Sequence, residues 1–238
     1  MNPDPTNLIF RIGLTTPLIG LYDVPDVSRF KPLVAPKPEK HMCIFSFYKR
    51  WLRGETLYIT KDNPGCGGCG HWLFGSVTRS REDYIKFLVG DEGLKSSREL
   101  MNQWLDYHKP YEPEYPNILI GPLKQDQYEY LKSVTFFVNP DQLSLLILGA
   151  NYNNAPGDPS PVIAPFGSGC MELIPLFKNL DMPQAIIGAT DIAMRQYLPP
   201  DILAFSITKP MFKQLCELDE KSFLYKMFWD NLKKVRAL

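Results

Sequence analysis

The 238-residue sequence has no excess of charge of either sign: 26 Lys and Arg stand against 26 Asp and Glu. No overall field draws such a chain toward nucleic acid or an anionic membrane, so no nucleic-acid partner is expected. Long apolar runs are also lacking. The longest, Leu143 to Ala150 with Ser144 inside it, is far short of the ~20 residues that cross a bilayer, and no membrane span is expected. The N-terminus, Met1-Asn2-Pro3-Asp4-Pro5, has neither the basic nor the apolar region of a secretory signal. Cysteine is sparse and odd in number, at five, which argues against a disulfide framework and for free thiols or ligands in a reducing, cytoplasmic compartment. No fixed-period repeat, phosphate-binding loop, dinucleotide glycine motif or serine-hydrolase elbow is legible, so those architectures and chemistries lack their usual support.

What is there is an ordinary packed composition, 45% hydrophobic and 22% charged. Strand-like and helix-like segments intermix throughout, which predicts a single α/β domain over residues 1–238, a mixed sheet flanked by helices, with an α+β arrangement as the variant. Leu18 to Tyr22 reads as an early strand. Pro25, Pro32, Pro36 and Pro38 then make residues 25–40 an irregular arm, because proline removes backbone donors. Apolar residues at helical spacing from Met42 to Leu52 predict a helix of about three turns, stopped at Gly54. Leu57–Thr60, Asn117–Leu123, Ser133–Val138, Ala185–Ala189 and Leu203–Thr208 read as strands. Helices are expected after Ser80 and after Ser96, each with an acidic residue three positions on. A further helix follows Asn139-Pro140. Residues 153–165 form a long Pro-rich loop, Met171–Leu180 a helix kinked at Pro175, and Lys221–Arg236 a closing amphipathic helix.

One segment is chemically loaded. Cys66-Gly67-Gly68-Cys69-Gly70-His71 has the spacing of a metal knuckle, in which two thiolates reach one ion and the glycines let backbone N–H groups turn toward sulfur. Half a site needs partners from elsewhere, and the candidates are Cys43 and Cys170, with His41 and His71 as alternate ligands; the centre would be an iron–sulfur cluster or zinc. Two other readings stay open for this loop, an unligated pair of thiols and a redox dithiol whose first cysteine caps a helix. Its glycines disfavour an immediately following helix, which counts against that cap.

Cys170 follows Gly167-Ser168-Gly169 at an expected helix start, where a thiolate or a bound anion would be favoured. It is a candidate nucleophile or ligand, and equally a small buried apolar residue. Asp191 and Arg195, after the strand at 185–189, stand where α/β ligand clefts form, although a cap is the simpler role for Asp191. Cys216 reads as core, and His108 as a residue closing a helix end.

Three segments together, Ser133 to Gln142, Ala164 to Cys170 and Ala185 to Arg195, resemble an uncharacterised prokaryotic family, domain of unknown function 169. The resemblance runs over nearly the whole chain from about residue 10. It implies a cytoplasmic bacterial or archaeal protein with no established reaction, and cysteines in the segments matching Cys43, the 66–69 loop and Cys170. Many relatives have Cys-Pro-x-Gly where this loop has two cysteines, so either Cys66 or Cys69 is the counterpart. A redox or cofactor-handling protein is the leading expectation; an anion-binding or accessory protein without metal, or a thiol enzyme using Cys170, is the alternative.

Overall fold

The structure is a computed structural model that describes residues 2–38, 40–76, 80–167, 169–174 and 176–236. Eight strands are described: β1 Ile19–Val24, β2 Leu33–Val34, β3 Thr56–Thr60, β4 Asn117–Pro122, β5 Leu131–Val138, β6 Val162–Ile163, β7 Ala185–Gly188 and β8 Leu203–Thr208. They form one sheet in the order β2-β3-β4-β1-β5-β8-β7-β6. Only the two edge pairs, β2 with β3 and β6 with β7, are parallel. The mixed sheet expected from the sequence is therefore present, in a single α/β unit.

Its connectivity is doubled. Outward from the centre, the first half runs β1-β4-β3-β2 and the second β5-β8-β7-β6, and the halves join through antiparallel pairing of β1 with β5. Each half thus starts at the centre, leaves for the edge, returns parallel to its edge strand, and folds back beside its first strand. No repeat is legible in the sequence because the two halves share a path and not a residue pattern.

Helices cover both faces. Those described are α1 Thr6–Ile12, α2 Tyr48–Trp51, α3 Gly67–Phe74, α4 Arg81–Lys86, α5 Arg98–Tyr107, α6 Pro140–Ala150, α7 Gly169–Glu172, α8 Ile192–Arg195, α9 Lys209–Cys216 and α10 Met227–Arg236. Strand alternation sends Val134, Phe136 and Val138 of β5 toward a core shared with α1, α6, α9 and α10, while Phe137 points into the opposite core. That second core holds Phe45, Trp51, Trp72, Cys69 and Cys170. Hydrophobic burial on both faces accounts for the continuous apolar strands.

Several sequence expectations are corrected. The seven-residue α1 was not foreseen: it has no side-chain cap and is held by packing, with the Trp229 indole donating to the Arg11 carbonyl at 2.6 Å. Ser97, one residue later than expected, caps α5 by accepting the Leu100 N–H. The closing helix starts at Met227, because Lys226 is extended after a short 3₁₀ turn at Phe223–Tyr225. The expected helix over 171–180 shrinks to α7, and Pro175 lies outside the described residues. The helix over 42–52 is a 3₁₀ turn, Ile44–Phe47, running into α2. Among its described residues the arm at 25–40 is irregular apart from β2.

At α6 sequence and structure agree: the Asn139 side chain accepts the Gln142 N–H, and the Gln142 side chain accepts the Asn139 N–H. Asn139→Ala breaks this reciprocal pair and should cost about 1 kcal/mol. In a chain of this size that is a fall of roughly 2–4 °C in Tm by calorimetry, and no loss would show that the pair carries no stability.

Candidate functional site

Three helical beginnings meet on the cysteine-bearing face of the sheet. Cys43 is the extended residue before the 3₁₀ turn Ile44–Phe47, Cys66 the extended residue before α3, and Cys170 lies in the first turn of α7. Cys43 and Cys170 hold equivalent places in the doubled path, each between an edge strand and the strand parallel to it. Their segments can touch because glycine leaves room: a Cβ on Gly169 would lie 2.4 Å from the Phe45 ring, so only glycine fits there. The Cys43 and Cys66 segments are tied by the Met42 N–H, which donates to the Gly65 carbonyl at 2.8 Å, with Gly65 in the left-handed region at φ +83. A Cβ on Gly68 would sit 3.3 Å from the Cys170 sulfur and 3.8 Å from the Cys66 sulfur, so both sulfurs flank one glycine.

Contrary to the sequence expectation, Cys66 does cap a helix. Its sulfur accepts the Cys69 backbone N–H at 3.3 Å, and glycines at 67, 68 and 70 do not prevent α3 because burial of Cys69, Trp72 and Leu73 anchors it. The Cys69 thiol beside it, then the backbone N–H groups and the charge of His41, hold the Cys66 thiol down at about 6. Cys69 is fully buried, and the neighbouring thiols of Cys170 and Cys66 push its own proton loss well above the ordinary range. Burial pushes Cys43 up to about 11, with the charges of Cys66 and Cys170 adding to it. Tyr84, whose hydroxyl accepts from the Trp72 indole at 3.3 Å, is raised to about 12, chiefly by burial and in part by Cys170 and Cys66. Cys66, which ionises readily, thus lies beside Cys43 and Cys69, which hold their protons.

On the other side of α7 lies an acidic group. Glu172 is fully buried; its carboxylate accepts the Ala189 N–H at 2.6 Å and the Thr190 N–H at 3.4 Å. Ala189 is the one non-glycine residue with positive φ among those described, at +62, and a Cβ on neighbouring Gly188 would meet the Glu172 carboxylate at 2.7 Å. Burial raises Glu172 to about 7. Asp191 caps α8 through the Ala193 N–H at 2.9 Å, as the simpler reading had it. A cavity of about 80 Å³ opens beside these groups, walled by Tyr84, Trp104, Phe166 and Met171, with Glu92 and Asp191 at its polar end.

The candidate residues therefore divide. Cys43, Cys66, Cys69 and Cys170 come together, with His41 close to Cys66. His71 turns toward Trp72 and Tyr84, its ring 4.5 Å and 6.1 Å from theirs. Gly167 lines the cavity and Gly169 the Phe45 contact, while Ser168 lies outside the described residues. Arg195 spends its guanidinium on the carbonyls of Pro199, Pro200 and Ile202. Cys216 packs against the opposite core. Among the described residues, no group of three or more His, Cys, Asp or Glu side chains is arranged to hold a metal ion. Sequence reasoning passed over Glu172, Tyr84 and Glu92, which sit in ordinary helical surroundings and carry no motif.

The model of domain of unknown function 169, described as Uncharacterised ArCR, matches residues 11–218. The chain belongs to this family. Neither a curated protein nor a solved structure matches it. In this family member both cysteines of the loop join the cluster, Cys66 at its rim and Cys69 in its floor. No helix among the described residues is long and apolar enough to cross a membrane.

Two pH dependences follow. Alkylation of Cys66 by iodoacetamide should rise with a midpoint near pH 6, and Cys69→Ala should move the midpoint upward; a wild-type midpoint near the ordinary thiol value of 9 would contradict this geometry. Glu172 works in the opposite sense. Its folded value is raised, so its contribution to stability is full below about 4.5 and lost as pH rises through about 7. Glu172→Gln keeps an acceptor for the Ala189 N–H and should flatten the stability profile over that window in denaturant titrations, whereas an unchanged slope would assign it to other groups.

Proposed function

We propose that this family member is a thiol-dependent redox protein in which Cys66 is the attacking thiolate and Cys69, or Cys170, is the thiol that resolves it. The observation that carries the reading is the place of Cys66: a cap position whose sulfur receives the Cys69 N–H, beside two further thiols on a glycine-lined approach. Helix starts favour thiolate in this way in disulfide-exchanging Cys-x-x-Cys sites. The chemistry balances with an external disulfide as oxidant. The Cys66 thiolate attacks one sulfur, the disulfide S–S bond breaks, and the departing thiolate takes up a proton. Cys69 then loses its proton and attacks the Cys66 sulfur; an internal disulfide forms and the second thiol leaves, so the protein gives up two electrons and the substrate gains them. A reducing cytoplasm would return the pair to dithiols.

A second reading rests on a different observation, that four sulfurs converge where a dithiol needs two. Soft thiolate donors suit zinc or an iron–sulfur cluster, and Cys43, Cys66, Cys69 and Cys170 would hold it, with His41 and His71 in reserve. Anion binding at Gly167–Cys170 has less support, since Glu92 and Asp191 line the adjoining cavity.

Reduced protein, purified without air and treated with one equivalent of hydroxyethyl disulfide, should be oxidised by two electrons, with peptide mapping locating a disulfide from Cys66 to Cys69 or Cys170. Cys66→Ala should lose that reaction. Oxidation of the variant at the wild-type rate would remove Cys66 from the role, and iron or zinc at stoichiometry that shields all four thiols from alkylation would favour the second reading.

A further inference from the structure

The thiol cluster has a neighbour that the redox reading does not use: the cavity between α4, α5 and the turns around α7 and α8. Its walls are aromatic and apolar, from Tyr84, Trp104, Phe166 and Met171, and its polar end carries two carboxylates, Glu92 and Asp191. Among the described residues no basic side chain lines it; Lys95 lies over the Phe166 ring at 4.7 Å. At about 80 Å³ it has room for roughly half a dozen water-sized positions, which suits a short alkyl chain and not a nucleotide or a peptide. Two of its walls lead to the thiols. Met171 follows Cys170 directly, and Tyr84 stands close enough to Cys66 and Cys170 to feel their charge. The lining includes no cysteine, so Tyr84 and Met171 are what join the cavity to the thiol cluster.

We propose that this cavity is the substrate subsite of the thiol centre and takes small disulfides bearing an ammonium group, the cation against Glu92 and Asp191, the short chain between the rings of Tyr84, Trp104 and Phe166, and the disulfide toward Cys66. The inference rests on the redox reading and adds a substrate class to it. Aromatic faces and carboxylates both favour a cation over a neutral or anionic group of the same size, the first through the ring quadrupole and the second through direct attraction in a partly water-excluded space. The doubled fold sets α3 and α8 at equivalent positions in the two halves, capped by Cys66 and Asp191. The reaction is the exchange already balanced: attack on the substrate sulfur seated nearest Cys66 releases one aminothiol, and closure of the internal disulfide releases the other.

The test compares single-turnover oxidation of reduced, full-length protein by cystamine, by the near-isosteric neutral hydroxyethyl disulfide, and by the anionic dithiodiglycolate. Each rate is divided by that of the same disulfide with free glutathione, which removes the difference in leaving-group acidity; on that scale cystamine should react about ten-fold faster than the neutral compound and dithiodiglycolate more slowly than either. In the double variant E92Q/D191N, which keeps a capping side chain at 191, the ratio of cystamine to hydroxyethyl disulfide rates should fall to about one. A measurement on the unaltered protein guards against a variant that does not fold: 2-(methylthio)ethylamine, an unreactive copy of half the substrate, should inhibit oxidation by hydroxyethyl disulfide, while 2-(methylthio)ethanol at the same concentration should not. If hydroxyethyl disulfide oxidises Cys66 but neither charge preference nor inhibition is seen, the subsite is overturned and the redox reading stands. If none of the three disulfides oxidises Cys66, the redox reading falls and the subsite falls with it.

Discussion

Antiparallel pairing of β1 with β5, through Ile19 against Thr135, Gly20 against Val134 and Leu21 against Ser133, joins two halves of equal connectivity into one sheet. Everything at the thiol cluster depends on that seam. Because each half leaves its central strand for the edge and returns across the same face, the crossings that carry Cys43 and Cys170 meet over the middle of the sheet. A different pairing would leave the cysteines of the two halves on separate edges. The core under the seam, with Phe45, Trp51 and Phe137 in edge and stacked contact, fixes the distance at which the crossings meet.

Close approach is the second constraint. Gly169 admits the Phe45 ring, Gly68 admits the sulfurs of Cys66 and Cys170, and Gly188 admits the Glu172 carboxylate. These glycines work by lacking a side chain, and at two of the three places a Cβ would overlap a neighbour outright. The same crowding removes water from Glu172 and sets the thiols of Cys170 and Cys66 against Cys69, which shifts both Glu172 and Cys69 toward their protonated forms, while the Cys69 thiol and the backbone N–H groups shift Cys66 toward its thiolate.

Sequence and structure part company where local rules compete with burial. Asn139, Gln142 and Pro140 form a cap whose meaning lies within four residues, and it was legible. Six strands were legible because β-branched and aromatic residues crowd them. Two-residue strands such as β2 and β6 were not, since their identity comes from the neighbour they pair with. The glycines at 67, 68 and 70 spoke against a helix, and burial of Trp72 and Leu73 overrode them. Glu172 looked like an ordinary helical residue, and only the turn at Gly188-Ala189, brought from 17 residues away, makes it a buried carboxylate with backbone partners.

By itself the sequence determined the class of the fold, most of the strands, the α6 cap, and which four cysteines to bring into question, because these rest on composition, short-range periodicity and residue type. Tertiary structure alone decided that the four cysteines lie near one another, that Cys66 caps a helix, that the halves repeat a path, and that Glu92 and Asp191 line one cavity. Those facts depend on contacts between segments far apart in the chain, and a linear pattern holds no distance between such segments.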